Sequence, residues 1–450
     1  MHKWFVLAPL LALSMLFAGA AQAAPGTVAL DAATLGRLAR LPAGSSLDMV
    51  GFPAGPGVVS DMTFRRLDVY APGARIIVVD AAGEHEIPRS QRVHLLGYSR
   101  DGTARVGLSF DPDLKREPYG AGSGPAGAFV LRAESTADGW QFHAISSESA
   151  LPPGVTLDYP ANEDSLPNPD AAPLPLEHLF NAETPAGVLR NAVVAIDTDT
   201  TFMSARFGGN TAQATAWIAD LFAQMNVMYE RDLDVHLQQG TTFLRTASDP
   251  YANADTSATS AQLNEFGNYW QNNYSSGGSA VSRAFAALLS GNSSSANSSS
   301  GIAWVNSYCR TASSGGSYSV TQIFTNPNLG VSYTAFIAGH ELGHNFGAKH
   351  THCSDATTGA SSSTNTIDQC YRAESGCYSG AVSCPVSGPG APKGTVMSYC
   401  HIGAPNGASC GQNVQQFHPT HVTQLRALVA ANTPSCLTVA TDVIFANGFQ

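Results

Sequence analysis

The sequence predicts two folded units of different class, a mostly β N-terminal unit followed by an α/β domain. Three observations carry that prediction. From Gly26 to about Tyr159, short alternating apolar runs are separated by Gly and Pro, a strand signature. Beyond a proline-rich stretch the apolar spacing changes to three and four, a helix signature, with short apolar runs between. All eight cysteines lie in the C-terminal third. At 450 residues the chain holds two to three domains at roughly 100–200 residues each. Charged residues make up 13%, about half the usual share of ~25%, and small polar residues take their place. With 23 Lys+Arg against 34 Asp+Glu and a net charge of -11, no basic face is available to a phosphate backbone, so nucleic acid is not an expected partner.

In chain order, Met1–Ala23 places Lys3 before an apolar stretch from Trp4 to Ala18 and ends in Ala21-Gln22-Ala23. This is the layout of a secretory signal peptide cut after Ala23. A membrane anchor would need about 20 apolar residues, more than this run offers, and no later segment is long enough either, so the mature form has no expected span. Residues 24–160 then form the cysteine-free β-rich unit, with strands expected at Ala74–Val79, Arg92–Tyr98, Ala104–Phe110, Ala128–Arg132 and Trp140–Ile145. Residues 161–189 are rich in Pro and acidic residues without a hydrophobic period, as in an exposed linker where proteases cut.

The α/β domain is expected over 190–437. Ala192–Ile196, Val235–Gln238, Ile302–Val305 and Tyr318–Phe324 read as strands. Trp217, Ile218, Leu221, Phe222, Met225, Met228 and Tyr229 mark an amphipathic helix that Asn210 or Thr211 can cap. Cys309, Cys353, Cys370, Cys377, Cys384, Cys400, Cys410 and Cys436 lack C-x-x-C pairs, so they read as four disulfides, with 105 connectivities open. Residues 438–450 form a C-terminal tail that fits a disordered end, a terminal strand or an export signal. Four lysines against nineteen arginines, with abundant Ala and Gly, fit a GC-rich bacterial genome.

The chemistry concentrates at residues 340–350, His-Glu-Leu-Gly-His-Asn-Phe-Gly-Ala-Lys-His. His340 and His344 stand one turn apart on one helix face and can share a metal ion. Ser332 is positioned to cap this helix, and Ala335, Ala338, Leu342 and Phe346 form its apolar stripe. Gly347 supplies the left-handed turn that ends a helix and swings His350 round as a third ligand. Three neutral imidazoles leave the fourth position of a tetrahedral zinc open, the arrangement of a catalytic site. Glu341, beside the first histidine, is placed to take a proton from an attacking water and hand it to a leaving amine. His352, His401, His418 and His421 have no spacing argument and read as packing or surface residues. The sequence gives calcium no support.

Some fifty residues on comes Gly394-Thr395-Val396-Met397-Ser398-Tyr399-Cys400. The extended histidine pattern followed by a methionine-bearing turn resembles the metzincin zinc endopeptidases. Within them it looks most like the reprolysin (adamalysin, ADAM-type) branch, over about Arg190–Cys436. The resemblance implies a twisted mixed sheet with a zinc-binding helix and a Met-turn whose Met397 lies beneath the metal. It also implies an antiparallel edge strand, Gly301, Ile302, Ala303, Trp304 and Val305, that binds substrate by backbone pairing, against the alternative of an ordinary buried strand. Two positions depart from the branch. Thr351 stands where Asp usually follows the third histidine, and Tyr399 lies two residues after Met397, as in astacins and serralysins. Such a tyrosine can reach the zinc or the oxyanion, so Tyr399 is a candidate for stabilising the tetrahedral intermediate or for lining the pocket.

The expected protein is therefore a secreted, monomeric metalloendopeptidase with one catalytic zinc ion, acting on proteins or peptides. The alternative from another class is a zinc-containing adhesion or binding module without catalysis, which would have no need of Glu341. A further alternative is a zinc hydrolase acting on a non-peptide amide. The β-rich unit ahead of the linker is expected to be an inhibitory prosegment removed by a cut within Leu174–Arg190, with a retained binding domain as the competing reading. Residues 24–189 contain no cysteine, so a thiolate switch is excluded.

Overall fold

The computed structural model describes residues 26–160, 165–169 and 187–440. The signal peptide, the linker at 161–164 and 170–186 with most of the expected cutting region, and the tail from 441 lie outside the described residues.

The N-terminal unit runs β1 (Thr27–Asp31), α1 (Ala32–Ala39), β2 (Ser46–Gly55), β3 (Val58–Leu67), β4 (Ile76–Asp80), β5 (Gly83–Ile87), β6 (Val93–Ser99), β7 (Arg105–Phe110), β8 (Tyr119–Gly124), β9 (Gly127–Ser135) and β10 (Gly139–Ser146). Eight of these strands form an antiparallel sheet in the order β1-β10-β9-β8-β7-β6-β3-β2. It encloses its own core of Phe52, Phe64, Phe110, Phe129 and Phe142. The five strands expected from sequence are present, and β1, α1, β2, β3, β5 and β8 are additions.

The C-terminal half, expected to be catalytic, adds β11 (Ser165–Pro167), β12 (Arg190–Thr198), α2 (Thr211–Leu233), β13 (Val235–Arg245), α3 (Ser260–Tyr274), β14 (Phe285–Ser290), β15 (Ser300–Val305), β16 (Tyr318–Gln322), α4 (Val331–Phe346), α5 (Pro419–Ala431) and β17 (Thr438–Val439). Its sheet runs β11-β15-β16-β14-β12-β13-β4-β5, with β17 on β12. β16, β14, β12, β13 and β4 are parallel, and β15 is antiparallel to β16. The chain is thus mixed α/β, with few helices.

A division at residue 160 does not divide this sheet. β4 pairs in parallel with β13 from Ile76 opposite Thr242 to Val79 opposite Arg245. Its run Ile76-Ile77-Val78-Val79 is apolar at every position because strands buried on both faces lose the polar alternation. Asp158, at the end of the N-terminal unit, bridges Ser298, and β11, within the expected exposed linker, pairs with β15, so both lie against the C-terminal half.

The helix α2 carries the joint between the halves. Asn210 caps it, its Oδ1 accepting the Gln213 N–H at 3.0 Å. One face packs on the catalytic sheet, and the polar face is buried under the N-terminal sheet. Gln224 donates to the Gly107 carbonyl at 3.1 Å. Arg92 Nε lies 3.0 Å from Asp220 Oδ1, as does His94 Nε2. Arg65 pairs with Glu230, which also holds His236 Nδ1 at 2.7 Å. Burial alone would raise the Glu230 carboxyl, but Arg65 and His236 outweigh it and lower it to about 2. Asp220 is likewise lowered, burial being outweighed by Arg92 and His94.

Candidate active site

The site stands on α4. Ser332 does not cap this helix as expected, because the N-cap position falls on Gly330. Instead Tyr119 of the N-terminal sheet reaches the first turn, where its hydroxyl accepts the Ser332 N–H at 3.0 Å and donates to Ser332 Oγ at 2.6 Å. At the other end Gly347 adopts φ 116°. Its N–H donates to the His344 carbonyl at 2.8 Å, and the Ala348 N–H returns to Gly343 at 2.9 Å, so the last turn is closed and the chain reverses toward His350.

That reversal brings His340, His344 and His350 together, with their ligand nitrogens all within 4.8 Å of one another. Hydrogen bonding fixes which nitrogens these are. His340 Nδ1 donates to the Val396 carbonyl at 2.7 Å, and His344 Nδ1 to the Ala348 carbonyl at 2.8 Å. A carbonyl oxygen only accepts, so each Nδ1 carries the hydrogen and each Nε2 the lone pair. Yet the Nε2 atoms of His340 and His344 face each other at 3.1 Å. Two opposed lone pairs at that distance repel unless a cation lies between them. Tetrahedral zinc with Zn–N bonds near 2.0–2.1 Å sets its imidazole nitrogens about 3.3 Å apart, so the donor set fits the metal.

The turn bearing Met397 lies under this trio. Its thioether sulfur sits where a Cβ on Gly343 would be 2.7 Å away, and its carbonyl accepts the Thr351 N–H at 3.0 Å. Tyr399 is buried with its ring 4.4 Å from that of His350, centre to centre. His401, placed outside the site by sequence reading, faces the Tyr399 ring at 6.2 Å. His421 is a packing residue: burial, with smaller effects from neighbouring histidines, pulls its imidazole down to about 3, and it meets Ser354 Oγ at 3.0 Å. His418 sits at the N-terminus of α5, where Nδ1 accepts the Thr420 N–H at 3.3 Å.

Glu341 is 1% exposed. Its carboxylate lies against Gly301 of β15 so closely that a Cβ there would meet Oε1 at 2.1 Å. This gives Gly301 a reason to be glycine that the strand pattern could not show. Asn345 ties the same strand to the helix, its amide donating to the Trp304 carbonyl at 2.9 Å and to the Tyr318 carbonyl at 3.0 Å. The expected docking strand Gly301–Val305 is the outermost antiparallel strand of the catalytic sheet proper, but β11 occupies its outer side. Ser165, Leu166 and Pro167 pair in parallel with Ala303, Trp304 and Val305. Tyr159, Gly301, Ile337, Glu341, Tyr399 and His401 line one narrow cleft.

The eight cysteines join as Cys309–Cys436, Cys353–Cys377, Cys370–Cys400 and Cys384–Cys410. Sequence reading missed Glu374, which lies between His350 Nδ1 at 2.6 Å and His352 Nε2 at 2.9 Å. Burial would raise its carboxyl, but the two imidazoles hold it well below the usual carboxylate range. His352, expected as a packing or surface residue, is fully buried beside the trio.

A three-histidine site on a glycine-terminated helix, over a methionine turn and beside an antiparallel outer strand, defines a metzincin-type metallopeptidase centre. Residues 189–406 match the family model described as metallo-peptidase family M12, and the match supports a reprolysin-type metzincin over this segment. No curated protein matches the chain.

Proposed function

We propose that this protein is a secreted zinc metalloendopeptidase made with its N-terminal unit lying over the cleft. The observation that carries the reading is the opposed pair of imidazole nitrogens at 3.1 Å, with Glu341 one residue from the first of them. His340, His344 and His350 would hold the ion. Zinc, when bound there, polarises the scissile carbonyl and makes water acidic enough to attack near neutral pH. Glu341 takes the proton from the attacking water and delivers it to the leaving amine. β15 offers its backbone groups to an extended substrate, and Tyr399 contributes its hydroxyl toward the developing oxyanion.

The same strand supports a latent state. With β11 paired to β15 and Tyr159 in the cleft, a substrate cannot use the same edge. No cysteine is needed for this block. Glu341 argues against the binding-module reading, since an adhesion site gains nothing from a buried carboxylate beside the metal ligands. The test is Glu341→Ala on the processed, secreted form. The substitution is expected to lower cleavage of an unfolded protein substrate by roughly 10²–10⁴-fold while zinc stays bound. Full activity in Glu341→Ala would remove the proposed mechanism. Tyr399→Phe separates its two readings, since unchanged turnover leaves it only a pocket wall. Finding Ala24 at the N-terminus of the fully active form would overturn the latency reading.

A further inference from the structure

Of the three histidines brought together on and after α4, two are oriented by main-chain carbonyls and one is not. His350 directs Nδ1 at a side chain, Glu374 Oε2, at 2.6 Å. The same oxygen lies 2.9 Å from Nε2 of His352. The rings of His350 and His352 are parallel to within 3°, their centres 5.3 Å apart. One carboxylate oxygen therefore holds two stacked imidazoles by their edges. Both rings are buried, His350 at 1% exposure and His352 at 0%.

The residue that follows His350 in the chain does not hold its ring. Thr351 spends its N–H on the Met397 carbonyl at 3.0 Å and sits 3.0 Å from Ser398 Oγ through its hydroxyl. It fixes the methionine turn, not the imidazole. Glu374 comes from a separate loop that is held on both sides. Three residues on, Cys377 is joined to Cys353, and the Tyr378 N–H donates to the His352 carbonyl at 2.9 Å. On the near side the Tyr371 ring stands edge-on to His352 at 5.3 Å.

We propose that Glu374 is the positioning residue for the third metal ligand, His350. This rests on the reading of His340, His344 and His350 as a zinc site. Glu374 accepts the Nδ1 hydrogen of His350, which fixes the tautomer and leaves Nε2 as the ligand. A carboxylate partner also makes an imidazole a stronger donor than a carbonyl does, and loss of such a partner typically weakens metal affinity by about 10–100-fold. His352 secures the carboxylate from its other side, and the Cys353–Cys377 disulfide carries the loop that delivers it.

The test measures zinc affinity of the full chain by competition with a chromophoric chelator, together with the visible absorption of the cobalt(II)-loaded protein. Glu374→Ala removes the carboxylate, and Glu374→Gln keeps its size, so the fold is tested independently of the charge. Both are expected to weaken zinc by roughly 10–100-fold and to shift the cobalt bands, which loss of packing alone would not do. His352→Asn is expected to move both readouts in the same direction and less. Wild-type protein that binds one zinc, with both Glu374 variants within twofold of it and unchanged cobalt bands, would overturn the positioning role and leave the zinc site standing. Wild-type protein that binds no zinc would overturn the site reading, and this inference with it.

Discussion

The N-terminal sheet and the disulfide-rich segment after α4 both close on the metal helix, by opposite means. The segment after α4 is stapled: Cys353–Cys377, Cys370–Cys400 and Cys384–Cys410 lie within it, and Cys309–Cys436 fastens the final helix region back to the catalytic core. It meets the site through the carbonyls of Val396 and Ala348 on His340 and His344, and through the Glu374 side chain on His350. The N-terminal unit has no cysteine. It is held by strand pairing of β4 on β13 and β11 on β15, and by ion pairs buried against α2. On the proposal that the N-terminal unit is removed, the difference separates what stays from what leaves. The cross-linked backbone carries both the carbonyls that orient His340 and His344 and the loop that brings Glu374 to His350. Side-chain charge pairs hold a partner that can come away as a unit, but a cut in the linker does not by itself undo them.

The sharpest way to break this contrast is to act on one attachment and read the other. Arg92→Ala leaves Asp220 buried with His94 alone, and removing one partner of a buried pair costs about 3–5 kcal/mol. Hydrogen exchange should rise along β6, β7 and α2 and remain low around Val396–Met397. Equal loosening at both places would erase the distinction. Replacing Cys370 and Cys400 together by serine should cost about 2–5 kcal/mol and do the reverse, mobilising the methionine turn while β6 and β7 stay protected.

Acidification should act on the N-terminal attachment. Glu230 is lowered to about 2 and Asp220 is lowered as well, so their stabilising effect is present above the ordinary carboxylate range and is lost as pH falls through the folded values. After a linker cut, the N-terminal fragment should co-elute with the catalytic half at neutral pH and separate as pH drops from about 4.5 toward 2. Co-elution unchanged at the acid end would show that the charge pairs do not hold the joint. The smallest effect expected is that of Tyr119→Phe. It removes the hydroxyl that serves the first turn of α4, at a cost of about 1 kcal/mol in thermal unfolding.

What was legible in the sequence follows from how local each signal is. The two ligands one turn apart, the glutamate between them and the helix-ending Gly347 are fixed by spacing within eleven residues, and the structure brings these side chains together. Glu374 was invisible because it lies 24 residues from His350 on an irregular loop, which the disulfide at Cys377 and the Tyr378 N–H bond to His352 fold back. The transfer of β4 into the catalytic sheet left a trace that was misplaced. Ile76-Ile77-Val78-Val79 is the unbroken apolar run of a strand buried between neighbouring layers. The helix α3 also left one, since Leu263, Phe266, Trp270 and Tyr274 recur at three and four residues and are buried. Sequence reading assigned no element there, because polar residues dilute the stripe. Ser332 was a plausible cap by type alone, and its place in the fold was decided by Tyr119, more than two hundred residues away.

The central claim is that three imidazoles and one carboxylate form a zinc-dependent peptide-hydrolysing site. The most direct test is metal analysis of the processed protein alongside its cleavage of an unfolded protein substrate, before and after chelation and after zinc is returned. The account predicts one zinc per chain, loss of cleavage with the metal and recovery on its return. Cleavage that persists in the metal-free protein would contradict it.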